Sequence, residues 1–245
     1  MFVDYKMDKL ISYSDVDFKI NFGVLQAVNF VQDICTHYFK TFGSDNPTIK
    51  KVNNAAWVVS KTKVDFFRFP KLGEKIYGRI YTTSVKPARI VCETVIKSES
   101  GENLIVINQE SCTIDLDTRK LRRLNTIKYP TDMETETGII QNPFNRFNSD
   151  FNEEDLIYEV RSASQDIDFN RHVNNTVYVR HILNSFSVDY FEKINIKKLE
   201  IHYIHEALEG EFLSIYRKKV ENGFEFLIMG EGKECVRAVL NIEEK

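Results

Sequence analysis

A short motif occurs twice in this chain, and the repeat constrains the fold more than any other feature of the sequence. Residues 15–18 read Asp-Val-Asp-Phe and residues 166–169 read Asp-Ile-Asp-Phe, at an offset of 151. Each copy precedes a segment whose apolar residues recur at steps of three or four, the period of an amphipathic helix. A Gly-Glu pair also recurs, at 73–74 and at 210–211, at an offset of 137. The repeats predict a duplicated fold.

Each half is predicted to contain a strand, a helix of about five turns and four antiparallel strands. The helices have one apolar stripe each, formed by Leu25, Val28, Val31, Cys35, Tyr38 and Phe42 in the first half and by Val179, Ile182, Leu183, Phe186 and Tyr190 in the second. The strands after the helices are predicted at residues 63–67, 76–84, 89–97 and 104–115, and at residues 200–204, 212–218, 224–229 and 235–242. The Asn222-Gly223 pair is a strong hairpin signal.

Long helices next to consecutive antiparallel strands favour an α+β fold in which a sheet wraps one helix in each half. We assign residues 1–120 to the first half and residues 156–245 to the second. Residues 121–155, which contain Pro130, Pro143 and a polar stretch, are the predicted linker.

The composition excludes several classes of protein. The 245 residues carry 33 Lys and Arg against 36 Asp and Glu, a formal net charge of −3, so the whole molecule has no attraction for nucleic acid or anionic membranes. No apolar run approaches the ~18 residues of a membrane span. The four cysteines, at positions 35, 92, 112 and 235, form no Cys-x-x-Cys pair, which argues against a metal site or a disulfide framework. We expect a cytoplasmic protein with free thiols.

The second copy of the repeat is richer in polar side chains than the first. Five of them lie within eight residues just ahead of the second helix: Asp168, Asn170, His172, Asn174 and Asn175. Unpaired backbone N–H groups and the positive end of the helix dipole gather at such an entrance, which can stabilise the oxyanion of an acyl transfer. His172 can supply acid–base chemistry. In the alternative interpretation, Asn174 or Asn175 is only an N-cap and His172 is a turn residue.

A carboxylate also distinguishes the two halves. Glu206 follows the strand-like residues 201–205, whereas the first half has Phe69 at the same place. The carboxylate therefore occurs only in the half that has the histidine. Although a glutamate at the end of a strand is usually solvated, this coincidence makes Glu206 a candidate partner of His172.

At these residues the chain resembles the acyl-acyl carrier protein (ACP) thioesterases, two-hot-dog enzymes that end fatty acid synthesis in plants and have bacterial relatives. Residues 168–175, Asp-Phe-Asn-Arg-His-Val-Asn-Asn, match the family's Asp-x-Asn-x-His-Val-Asn-Asn motif. Trp57, residues 64–70 and Gly73-Glu74 are similar to its central-strand pattern, and residues 118–123 resemble the basic segment that closes its first hot dog. The resemblance covers nearly the whole chain and implies a tandem (double) hot-dog fold, each half a long helix wrapped by an antiparallel β-sheet.

The resemblance implies that the catalytic residues are Asp168, Asn170, His172 and Glu206. It implies hydrolysis of a fatty acyl thioester on the phosphopantetheine arm of ACP, with no metal or other cofactor. Glu206, held by Asn170 or His172, would take the proton of water, while Asp168 would either orient His172 or attack the carbonyl carbon itself. Plant members have a cysteine directly after this glutamate. This chain has Ala207, which excludes a thiolate nucleophile at that position.

The resemblance also implies an acyl tunnel in the first half. Its depth can select the chain length, because each buried methylene contributes ~0.8 kcal/mol. The residues expected to line it are Val28, Val31, Trp57, Val64 and Phe66.

The expected partner protein, ACP, is acidic, and it should dock on a basic patch. The densest basic cluster consists of Arg119, Lys120, Arg122 and Arg123, and the second of Arg217, Lys218 and Lys219. We assign docking to the first cluster.

Two alternatives stay open. The chain can be an acyl-coenzyme A thioesterase of the same fold, or a non-catalytic acyl-binding relative, although the retained catalytic motif argues against the latter. Neither nucleic-acid binding nor membrane insertion is expected. The sequence defines neither the preferred acyl length nor the oligomeric state, with which a homodimer is compatible.

Overall fold

The chain divides into two compact units. A computed structural model describes residues 2–245. The first unit is Met1–Asn142 and the second is Pro143–Lys245, so the boundary falls inside the segment that the sequence assigns to the linker.

The first unit is an antiparallel sheet with one long helix. Its elements are β1 (Asp4–Leu10), α1 (Val24–Thr41), α2 (Asn46–Asn53), β2 (Ala55–Phe66), β3 (Lys75–Lys86), β4 (Arg89–Lys97), β5 (Asn103–Asp115) and β6 (Leu121–Arg122). The strand order is β1-β3-β4-β5-β2, and the short β6 pairs with β5. Neighbouring strands in this unit are antiparallel.

The second unit repeats this topology. Its elements are β7 (Leu156–Arg161), α3 (Asn175–Asn184), α4 (Val188–Glu192), β8 (Ile194–Tyr203), β9 (Phe212–Val220), β10 (Gly223–Gly230) and β11 (Lys233–Glu244). The strands are ordered β7-β9-β10-β11-β8, which is the order of the first unit with each strand replaced by its counterpart. These strand pairs are also antiparallel. The predicted duplication and the α+β class are confirmed.

The repeated Asp-x-Asp-Phe motif has the same local structure in both units. Its first aspartate closes a 3-10 turn, Tyr13–Asp15 in the first unit and Ser164–Asp166 in the second. Asp15 Oδ2 accepts the backbone N–H of Ser12 at 3.0 Å, and Asp166 Oδ2 accepts that of Ala163 at 2.9 Å. The motif therefore encodes the entry to the helix in each half.

The core of the first unit lies between α1 and its sheet. The stripe of α1 buries Val28, Val31 and Tyr38, as the helical period predicts. Helix and sheet approach closely because β3 contains Gly78: a Cβ atom there would lie only 2.5 Å from the ring of Phe30. Any larger residue at this position would force the Phe30 ring to move.

The second helix is shorter than predicted. The expected five turns end after the ten residues of α3, and a separate short helix, α4, follows. Three residues separate the helices, and two of them are serines. Ser185 Oγ donates to the carbonyl of Ile182 at 2.7 Å, and Ser187 Oγ accepts the N–H of Tyr190 at 3.2 Å as the N-cap of α4. In the described part of the chain, no helix combines the length and the apolar character that a membrane span needs.

Candidate active site

The structure brings His172 and Glu206 together in the second unit. His172 Nδ1 lies 3.3 Å from Glu206 Oε2. The two side chains keep 26% and 40% of their surface exposed, so water reaches both. His172 belongs to the loop before α3, and Glu206 belongs to the segment after β8. An imidazole in contact with a solvent-accessible carboxylate is an arrangement that can move a proton to or from water.

The segment that carries Glu206 is fixed through its neighbour Ala207. The N–H of Ala207 donates to the hydroxyl of Tyr178 at 3.2 Å, and the carbonyl of Ala207 accepts the N–H of Val173 at 2.9 Å. These bonds tie the segment to α3 and to the His172 loop. Burial raises the pKa of the Tyr178 hydroxyl, with a further increase from Cys235, so the hydroxyl remains protonated.

Asp168 is directed toward the backbone of its own loop. Its Oδ1 accepts the N–H groups of Asn170 at 2.8 Å and of His172 at 3.3 Å. Asn170, in the same loop, is half-buried. The structure thus gathers His172 and Glu206 into one pair and makes Asp168 part of the loop that presents the histidine.

The entrance of α3 is capped by a side chain. Asn174 Oδ1 accepts both the N–H and the hydroxyl of Thr176 at 3.0 Å, so Asn174 is the N-cap of the helix. The N–H of Asn174 donates to the carbonyl of Asp166 at 2.8 Å. The N–H groups of Asn170, His172 and Val173 also donate to acceptors of the protein, as described above. Most backbone N–H groups at the entrance of α3 therefore already have a hydrogen-bond acceptor within the protein. The expectation that these groups bind an oxyanion does not hold at those positions.

An ion pair between a buried aspartate and a partly exposed arginine, behind the loop, is a feature that the sequence did not indicate. Arg180 of α3 pairs with the carboxylate of Asp166, which is buried. Burial would raise the pKa of Asp166, but the N–H of Ala163 and the guanidinium of Arg180 outweigh it and lower this pKa. Asp166 is recognisable as part of the repeat, whereas nothing in the sequence marks Arg180 as its partner.

None of the four thiols is suited to be a nucleophile. Burial raises the pKa of Cys92 to about 12 and that of Cys235 to about 11, and it also raises the pKa values of Cys35 and Cys112. Cys235 lies beside the segment that carries Glu206, since its carbonyl accepts the N–H of Ile204 at 2.8 Å. The Cys235 side chain is buried, and we assign it no chemical role.

The residues expected to line an acyl tunnel lie in the core of the first unit. Val28 and Val31 are buried on α1, and Trp57, Val64 and Phe66 are buried on β2. Trp57 is anchored in two ways. Its indole N–H donates to the carbonyl of Ser44 at 2.7 Å, and its ring stacks on Phe39 with the ring centroids 4.8 Å apart. Phe66 stacks similarly on Phe69, at 4.8 Å.

The basic cluster expected to bind ACP lies on and around the hairpin of β5 and β6. Arg119, Lys120 and Arg123 are exposed. Arg122 differs, because its guanidinium donates to Thr126 Oγ1 at 2.9 Å and to the carbonyl of Asn53. It also lies 3.5 Å from the carboxylate of Asp115. Arg122 therefore holds the hairpin in place, and three of the four side chains face solvent.

The second basic cluster is partly structural. The guanidinium of Arg217 donates to the carbonyl of Ser185 and lies 4.5 Å from the ring centroid of Phe186. Lys218 Nζ donates to the carbonyl of Asp150 at 3.0 Å. These contacts hold the end of α3 and the start of the second unit.

Two repeated units, each a helix on an antiparallel sheet, with a His–Glu pair in one of them, define a double hot-dog thioester hydrolase. A family model for the acyl-ACP thioesterase N-terminal domain matches residues 3–127, and one for the acyl-ACP thioesterase C-terminal domain matches residues 148–242. The chain belongs to the acyl-ACP thioesterase family.

Solved structures show the same fold along the whole chain. An acyl-ACP thioesterase from Bacteroides thetaiotaomicron is 21% identical, with 98% of each chain covered and a TM-score of 0.88. The 12:0-ACP thioesterase from Umbellularia californica is 18% identical, with 99% of this chain and 98% of that chain covered and a TM-score of 0.86. A search of curated proteins finds no match. The structural likeness confirms the tandem hot-dog fold.

Proposed function

We propose that the His172–Glu206 pair hydrolyses fatty acyl-ACP thioesters, releasing a free fatty acid and ACP and so ending fatty acid synthesis. The single observation that carries this proposal is the 3.3 Å contact between His172 Nδ1 and Glu206 Oε2 in a chain of this family. The reaction needs no cofactor, since the substrate brings its own phosphopantetheine arm. We place the reaction in the cytoplasm, where free thiols such as the four of this chain persist.

Glu206 is the general base in this mechanism. Its carboxylate takes a proton from a water molecule, and the contact with His172 holds the carboxylate in place and lets the imidazole share the proton. Because the backbone N–H groups of the loop are largely engaged, we assign the oxyanion to the carboxamide of Asn170, whose side chain carries two N–H donors.

The first unit, in this proposal, holds the acyl chain. Val31→Ala is then expected to shift the preference toward longer chains, because the smaller side chain leaves room for additional methylenes. Each added methylene that becomes buried contributes ~0.8 kcal/mol, about a fourfold gain in kcat/KM relative to the wild type. The measurement is kcat/KM over a series of saturated acyl-ACPs.

The matched control for Val31→Ala is Val236→Ala. Val236 is as fully buried as Val31, but it lies on β11 of the second unit. Both substitutions should lower the melting temperature, and only the first should change the chain-length profile. An unchanged profile for Val31→Ala would remove Val31 from the proposed tunnel.

Docking of ACP is proposed at the exposed part of the basic cluster. Arg123→Glu and Lys120→Glu, each alone, should raise KM for acyl-ACP several-fold at low salt, because the acidic carrier loses an attractive partner. The effect should fade as salt is added, and kcat should change little. Lys97→Glu is the control. Lys97 is exposed at the end of β4 and pairs with Asn103, the first residue of β5, whereas the basic cluster lies at the other end of β5. An equal rise in KM for the control would indicate a non-specific charge effect.

The carrier itself is tested by presenting one acyl group on ACP and on coenzyme A. We expect a clearly higher kcat/KM with the ACP thioester. Faster hydrolysis of the coenzyme A thioester would make the chain an acyl-coenzyme A thioesterase. Binding of acyl-ACP without release of fatty acid would make it an acyl-binding protein.

A further inference from the structure

The aspartate of the catalytic motif closes a five-residue loop. In addition to the two N–H groups that its Oδ1 accepts, the N–H of Asp168 donates to the carbonyl of His172 at 2.8 Å. The carbonyl of Asp168 accepts the N–H of Arg171 at 3.0 Å. Arg171 has a φ of 67°, a left-handed conformation that is uncommon for a residue with a side chain. The Asp168 contacts hold the chain in this tight shape.

The first unit contains the same loop, bond for bond. Asp17 Oδ1 accepts the N–H groups of Lys19 at 2.9 Å and of Asn21 at 3.0 Å. The N–H of Asp17 donates to the carbonyl of Asn21 at 2.8 Å, and its carbonyl accepts the N–H of Ile20 at 2.9 Å. Ile20 has a φ of 59°, which is a strained value for a β-branched residue. The aspartate stabilises an unfavourable backbone shape in both units.

The two loops differ at the other catalytic positions. Where the second unit has Asn170 and His172, the first has Lys19 and Asn21, and Phe69 replaces Glu206. The first unit thus lacks the proposed base, its imidazole partner and the oxyanion donor, yet it retains the aspartate with the same contacts. A nucleophilic role does not explain why the first unit keeps this carboxylate, because the other catalytic groups are missing there. A residue that shapes the loop is needed in both places.

We propose that Asp168 is a positioning residue, which fixes the loop so that His172 meets Glu206, and that it does not attack the thioester. This inference rests on the proposed function. Water is then the nucleophile: its oxygen bonds to the carbonyl carbon while Glu206 takes its proton. The carbon–sulfur bond breaks, and the proton passes from Glu206 to the phosphopantetheine sulfur, giving a fatty acid and the ACP thiol.

The test compares Asp168→Asn with Asp168→Ala. Asparagine keeps a side-chain oxygen that can accept the same two N–H groups, but it cannot form an anhydride with the acyl group. We expect Asp168→Asn to keep kcat within about tenfold of the wild type, and Asp168→Ala to lose about a hundredfold or more. The intact mass of Asp168→Asn must show that the amide has not hydrolysed back to aspartate.

Hydrogen exchange at the amides of Asn170 and His172 supplies a readout that does not depend on activity. Protection should persist in Asp168→Asn and fall in Asp168→Ala. The matched pair in the first unit is Asp17→Asn and Asp17→Ala. Asp17→Ala should lower protection at Lys19 and Asn21 while changing kcat far less than Asp168→Ala does.

Three results would overturn the inference. Asp168→Asn could be as slow as Asp168→Ala with its amide protection intact, a quench of wild-type turnover could trap an acyl group on Asp168, or both Asp168 variants could retain full protection. A wild-type protein that releases no fatty acid from any acyl-ACP would instead refute the proposed function, and the exchange data would still decide whether Asp168 shapes the loop.

Discussion

Glu206→Gln is expected to lower kcat for acyl-ACP hydrolysis by a factor on the order of 10² to 10⁴, the range that a positioned general base contributes. Glutamine has the same length and can still contact His172, which lies 3.3 Å from the carboxylate in the wild type. It cannot take a proton from water. Because Glu206 is exposed, the fold should tolerate the change, so KM and the melting temperature should stay close to wild-type values.

The matched control is Glu209→Gln. Glu209 is exposed on the same segment, three residues after Glu206, and the substitution removes the same charge. It should leave kcat unchanged within about twofold, as surface substitutions usually do. Wild-type turnover by Glu206→Gln, measured with the same acyl-ACP, would mean that another group activates water and that the His172–Glu206 contact is structural.

Most of the strands and one hairpin could be predicted from the sequence because local chemistry determines them, although the strands predicted at residues 63–67 and 200–204 cover only the last part of β2 and β8. The predicted strand 89–97 coincides with β4, and the Asn222-Gly223 signal falls at the turn between β9 and β10. The break in the second helix could not be predicted in this way. Phe186 and Tyr190 continue the helical period of apolar residues after α3 has ended. Their rings stack on each other across the break, with the ring centroids 5.4 Å apart. Apolar spacing alone does not reveal a helix that stops and restarts.

The candidate site could be predicted to the extent that it depends on differences between the two halves. His172 and Glu206 both replace unlike residues of the first half, and they meet in the structure. The contacts of Asp168 could not be predicted in the same way, because they are hydrogen bonds to backbone N–H groups, which a sequence does not display. The ion pair between Arg180 and Asp166 could not be predicted from the sequence either, since a charged residue on a helix is usually solvated.

His172→Asn is expected to lower kcat by a factor on the order of 10² or more, because the imidazole that contacts Glu206 is lost. Asparagine is a suitable replacement because the first unit has Asn21 at this position of an identically bonded loop. The backbone should therefore keep its shape, and the melting temperature should change little. KM should change much less than kcat, since in this mechanism His172 acts on the base and not on the carrier or the acyl chain.

His205→Asn provides the comparison for this substitution. His205 is exposed and directly precedes Glu206, and its Nδ1 lies 2.8 Å from the carbonyl of Glu234. The same chemical change one residue from the base should leave kcat near the wild-type value, because His205 is bonded away from the pair. Equal losses in the two variants would mean that any disturbance of this segment stops turnover. A loss confined to His172→Asn would show that catalysis depends on the imidazole that faces Glu206.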